Sequence, residues 1–144
     1  MKTATITSFL TVVYLTLAAA PAGQYVVDAD AGTVFDNMSR LRWQRGFSDG
    51  GMPWSGADAY CRTLGLDGVR GWRVPTPFEL STIVSHDRVA PAIDQDAFRD
   101  TLSAYFWTST PVAGRPDNAW VVDFKDGQLS NDLTTGNNRV RCVR

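Results

Sequence analysis

Histidine and cysteine are close to absent. The 144 residues hold one histidine, His86, and two cysteines, Cys61 and Cys142. None of the three stands at metal-ligand spacing from another, so no metal is expected, and nothing in the chain asks for another cofactor. An excess of one charge sign is missing too: 14 Lys and Arg face 15 Asp and Glu, for a net −1. That balance excludes a protein that coats polyanions by global charge. With no recognised binding module, nucleic acid is not expected as a partner, while a local basic patch stays open. After residue 22 no apolar run reaches the roughly 20 residues that a membrane span needs. There is no linker, repeat or low-complexity stretch either, so the body of the chain reads as one domain.

The N-terminal segment has a different character. Lys2 precedes an apolar run from Phe9 to Ala20, and Ala20-Pro21-Ala22 carries small residues where a signal peptidase reads. The pattern predicts a secretory signal over residues 1–22, cut after Ala22, and a single domain over 23–144. An uncleaved anchor helix is the alternative, though the run is short for it. Cleavage leaves 13 basic and 15 acidic residues, a net charge of −2. The expected location is secreted or periplasmic. In such an oxidising compartment Cys61 and Cys142 are expected to form a disulfide, with two buried free thiols as the alternative.

Local signals predict an α+β domain rich in turns. Gln24 to Asp28 and Gly32 to Asp36 alternate like a hairpin, and Leu41 to Trp43 reads as a short strand. A helix is expected from Ser55, with Asp58 at the third position and Gly65 as its stop. Ala57, Tyr60, Cys61 and Leu64 form its apolar face. A second helix is expected from Pro77 to about Ser85, with Leu80, Ile83 and Val84 inward. Its start carries a capping box: Thr76 as N-cap, Pro77 first, Glu79 third. One helical turn is expected near Asp94 to Phe98. Strands follow at Tyr105 to Ser109 and Ala119 to Phe124. In the last stretch Val140 and Cys142 share one face and Arg139 and Arg141 the other, which predicts a strand that is core on one side and cationic on the other.

Several residue types invite a chemical reading. Arg73 and Glu79 have the chemistry of an acid–base pair, but Glu79 is better spent on the cap and Arg73 on bracing the Trp72 turn or pairing with an acid. Trp72, Trp107 and Trp120 are expected in the core. Trp43 and Trp54 flank the glycine-rich loop Gly46 to Pro53 and are the tryptophans placed for sugar stacking. Arginines cluster at Arg40, Arg42 and Arg45 and again at Arg139, Arg141 and Arg144, and their planar fork suits sulfate or phosphate. The expected ligand surface joins Arg139 and Arg141 to the polar segment Ser130 to Asn138, including Asn137 and Asn138. Asp28 and Asp30 lack the remaining ligands of an EF-hand. His86 reads as a surface residue, and Asn37-Met38-Ser39 as a glycosylation sequon.

Eight segments in order carry a resemblance. They include Gly32-Thr33-Val34-Phe35-Asp36-Asn37, Leu41-Arg42-Trp43-Gln44, Trp54-Ser55-Gly56-Ala57 with Tyr60-Cys61, and Gly71-Trp72-Arg73-Val74-Pro75-Thr76 with Glu79-Leu80. Pro91-Ala92-Ile93-Asp94, Tyr105 to Thr110, Ala119 to Phe124 and Val140-Arg141-Cys142-Val143-Arg144 complete them. The chain resembles the C-terminal domain family of bacterial collagen-like adhesins, which is similar to the C-type-lectin-like group that includes formylglycine-generating enzymes. The resemblance implies a twisted antiparallel sheet with two flanking helices and long loops. It implies extracellular binding, with sulfated polysaccharides as the adhesins' ligands; the function expected for this chain is a non-enzymatic, exported binding module for a polysaccharide or surface protein. The chain departs from the adhesins in having no Gly-X-Y stalk and in its mild acidity. A sulfatase-modifying enzyme or accessory and a structural envelope component are the alternatives.

Overall fold

The computed structural model describes residues 23–144; the expected signal over residues 1–22 lies outside them. The chain runs β1 (Tyr25–Asp28), β2 (Thr33–Asp36), β3 (Arg42–Gln44), α1 (Trp54–Thr63), α2 (Pro77–Ser81), β4 (Tyr105–Val112), β5 (Arg115–Asp123) and β6 (Gln128–Leu133). The six strands make two antiparallel three-stranded sheets, ordered β1-β2-β3 and β4-β5-β6. The domain is mainly β. The single flanked sheet expected from sequence is therefore corrected to two.

The second sheet divides the interior. Successive residues of a strand face opposite ways, and both faces of β4 and β5 are apolar here. Phe106 and Val122 join a cluster with Val34, Trp43, Leu80, Phe98, Phe124 and Val143. Their neighbours Trp107 and Val121 join a second cluster with Ala57, Trp72, Val140 and the cysteines. The turn from β5 to β6 admits only glycine at 127. Gly127 has φ +81°, and a Cβ there would meet Val84 Cγ1.

The C-terminal segment locks the two sheets together. Val143 bridges to both Trp43 and Arg73, and Arg139 runs parallel to Phe106. Gln44 donates its N–H to Cys142 O at 2.9 Å, and Trp107 donates its own to Arg139 O at 2.9 Å. Cys61 of α1 is bonded to Cys142. Beside that bridge Gln44 donates Nε2–H to the Tyr60 hydroxyl at 2.8 Å and accepts the Cys142 N–H at 3.1 Å. A buried amide thus satisfies two elements at once.

Tertiary hydrogen bonds override several local signals. Helix α1 begins at Trp54, with Pro53 as an N-cap that offers no side-chain bond. Trp54 donates its N–H to Thr134 O at 2.9 Å, which fixes the first helical residue one position before Ser55. The helix ends because Leu64 turns extended, with ψ 130°, so Gly65 is not a left-handed stop. Helix α2 has its full capping box but stops four residues short of Ser85, because Val84 leaves to bridge Ile93. At the C-terminus Val140, Arg141, Cys142 and Val143 are all buried, which replaces the expected one-sided cationic strand.

Candidate functional site

The arginine surface expected at the C-terminus does not form. Arg141 has no exposed surface. Its guanidinium lies 4.9 Å from the Phe98 ring centre, 5.6 Å from Phe106 and 5.9 Å from Phe47. Nε–H goes to Gly46 O at 2.9 Å, and Nη2–H to Thr101 Oγ1 at 2.8 Å and Arg45 O at 3.3 Å. Burial pulls this group down to about 9, which leaves it charged at neutral pH. Three ring faces and three oxygens replace water around most of the cation, while its Nη1 has no partner among the described residues. Arg139 is half-buried and its Nη1 donates to the carbonyls of Ser48 and Asp49. Both arginines brace the loop after β3 from within.

The tryptophans also exchange roles. Trp43 is fully buried in the first core cluster, with Val34, Leu80 and Phe98, and its Nε1–H has no partner among the described residues. Trp120 is half-buried; it lies in the middle of the β5–β6 ladder opposite Asn131 and belongs to neither core cluster. Trp72 and Trp107 are in the core, as periodicity predicts. Asn138 is buried, and its Nδ2 donates to Asp132 Oδ2 at 2.8 Å. Asn137 is exposed and its carbonyl closes on Gly51, where a Cβ would stand 2.5 Å from that oxygen. Arg40 and Arg42 share the Phe35 ring, while Arg45 turns away and donates to Ala97 O.

Trp54 is the expected ligand residue that lines a cavity. A cleft of about 460 Å³ is bounded by Trp54, Ser55, Asp58, Arg73, Val74 and Ser109. Its size falls within the range of small-molecule sites. Three segments build it. The first turn of α1 brings Trp54, Ser55 and Asp58; the stretch that bridges to Val143 brings Arg73 and Val74; β4 brings Ser109. Trp54 is tied down through its side chain and through its backbone. Its Nε1–H donates to Thr108 O at 2.8 Å and its backbone N–H to Thr134 O at 2.9 Å. One aromatic wall is therefore held rigidly by β4 and by the polar segment that follows β6.

The charges along this cleft are already matched. Arg73 grips Glu79 with both terminal nitrogens, Nη1 to Oε2 at 2.7 Å and Nη2 to Oε1 at 2.6 Å. Glu79 Oε2 also accepts the Thr76 N–H at 2.9 Å as part of the α2 cap. The Arg73 guanidinium, followed by the Thr76 backbone bond, holds the Glu79 carboxyl below its usual range against the opposing effect of burial. Asp58 pairs with Arg62 one helical turn on. The sequence shows the cap and the helical spacing of Ser55 and Asp58; it gives no sign that Ser109, on β4, meets them.

Family membership follows from the full length of this frame. The family model of the Lcl C-terminal domain matches residues 32–144, from the β2 hairpin to the last residue. The chain belongs to the Lcl C-terminal domain family. No curated protein matches it. In this Lcl C-terminal domain the matched span contains both sheets' central strands, the Cys61–Cys142 bridge and every residue of the cleft. Among the described residues no three His, Cys, Asp or Glu side chains converge to hold a metal. No helix among them is long and apolar enough to cross a membrane.

Proposed function

We propose that the protein is an exported, non-enzymatic binding module of C-type-lectin-like architecture that recognises a carbohydrate or a protein at a cell surface. The observation that carries this reading is Trp54, a half-buried residue in the wall of a concave cleft whose indole is anchored by Nε1 and whose backbone is anchored by Thr134 O. A pre-oriented aromatic face beside a few polar groups is the composition of a recognition site. Membership of the Lcl C-terminal domain family supports an adhesin-like role. The Cys61–Cys142 bridge supports export, since such a bond persists in oxidising compartments.

Catalysis is left out of the proposal for chemical reasons. A bridged cysteine pair offers no thiolate nucleophile, and the Arg73–Glu79 pair is committed to holding α2. A sulfatase-modifying reaction would need two reactive thiols, which thiol titration of the native protein detects. The structural envelope role draws on a separate observation: Phe78 is 81% exposed and stands with Met38 on a second, apolar cleft. That role predicts self-association without a soluble ligand.

The test is retention on the immobilised protein of polysaccharides from a neutral and sulfated panel, together with envelope extract. Retention of a surface component that is released unchanged supports the module. Absence of any retained component, or its chemical conversion, overturns it.

A further inference from the structure

We infer that the Trp54 cleft holds an uncharged pyranose of a glycan chain, and that sulfated saccharides are not its ligand. This rests on the binding-module reading and narrows it to one chemical class at one site. The argument comes from the charges and from the hydrogen-bonding inventory.

A site for sulfate needs unmatched positive charge. Here Arg73 is neutralised by a two-pronged contact with Glu79, and Glu79 cannot be pulled away without uncapping α2. Asp58 places a carboxylate on the same wall, where it repels an anion and is offset only by Arg62 on its far side. An incoming sulfate would meet one matched cation and one carboxylate.

The hydrogen-bonding set is mixed. Arg73 has five N–H donors and spends two on Glu79, which leaves donors for a ligand. Ser55 and Ser109 are exposed hydroxyls that both donate and accept. Asp58 accepts from Arg62 through Oδ2, and its Oδ1, on an exposed residue, is a second acceptor open to a ligand. The sulfate group of a sulfated sugar only accepts and carries negative charge, so against Asp58 it is both unmatched and repelled. A sugar hydroxyl donates and accepts, and suits every group on the wall. The Trp54 face supplies an electron-rich plate for the polarised C–H bonds of a pyranose ring.

The experiment is calorimetric titration of the protein with neutral oligosaccharides and with a sulfated oligosaccharide, at low and physiological salt. A neutral oligosaccharide is expected to bind with affinity that changes less than about twofold between the two salts. Trp54→Ala is expected to weaken it about tenfold or more, and Trp120→Ala, at the other half-exposed tryptophan, to leave it unchanged. Trp54 also packs on the core, so Asp58→Asn at an exposed helix position provides a second variant, expected to weaken binding while the fold is kept. Salt-sensitive binding of the sulfated oligosaccharide alone overturns the inference. So does neutral binding that ignores both Trp54→Ala and Asp58→Asn. If no neutral sugar binds while a surface component is still retained on the immobilised protein, this inference fails and the module reading survives.

Discussion

Arg141 donates to Thr101 Oγ1 at 2.8 Å in the interior, and the guanidinium has no ion pair among the described residues. A cation in that position is held by aromatic faces and carbonyl oxygens, and its work is to shape the loop after β3. Arg141→Ala removes a large side chain and strips Gly46 O of its donor. The expected cost is about 3 kcal/mol or more, from cavity and lost hydrogen bonds together. Urea denaturation measures it. Ligand affinity per folded molecule is expected to stay the same, which separates a structural arginine from a binding one.

The Cys61–Cys142 bridge joins residues 81 apart. In the chain-entropy account, closing so long a loop contributes about 4 kcal/mol. The paired variant Cys61→Ser with Cys142→Ser is expected to lower the melting temperature by about 15 °C. Calorimetry of the two proteins side by side checks this, and an unchanged midpoint would contradict it.

Glu79 sets an acid limit. Its folded carboxyl sits below the usual range because Arg73 and the Thr76 N–H favour the charged form. A depressed carboxyl stabilises the fold above its unfolded pKa of about 4.3, and that contribution is lost as pH falls through the lower folded value. Arg73 is 47% exposed, so water screens the pair and the whole effect is held to about 1 kcal/mol. Glu79→Gln is expected to be less stable than the parent at neutral pH and to converge with it below about pH 4. Urea midpoints across that range show whether the curves meet.

Gly51 is fixed by the C-terminal segment. A Cβ there would lie 2.5 Å from Asn137 O, so Gly51→Ala must push apart the Met52–Asn138 backbone pair. The expected cost is about 1–3 kcal/mol, the usual range for forced overpacking. The same displacement disturbs the segment whose Thr134 carbonyl holds Trp54. Weaker ligand binding is therefore expected alongside the lower urea midpoint.

Much of the fold was legible where a signal is local. The Thr76-Pro77-Glu79 cap, the β1–β2 hairpin and the apolar face of α1 each lie within a dozen residues, and each forms. The family was legible from the order of eight short segments. Legibility ended where distant strands decide. Alternation in Val140 to Arg144 suggests one polar face, but Phe47, Phe98 and Phe106 cover the side that carries Arg141 while Val140 and Cys142 fill the second cluster, so both faces are buried. Trp43 and Trp120 exchanged exposure for the same reason: sequence shows which way a residue alternates but not where the covering layer stops. Of the cleft, Trp54 was legible as a ligand residue, Ser55 and Asp58 only as a helix start and Arg73 only as a brace, since nothing local brings them to Ser109.

The most direct measurement is the indole N–H spectrum of the 15N-labelled protein during titration with a neutral oligosaccharide. The five tryptophans report five places at once. The account predicts that the Trp54 signal moves with saturation while those of the buried Trp43, Trp72 and Trp107 stay. A stationary Trp54 signal in a protein that demonstrably binds the saccharide would contradict it.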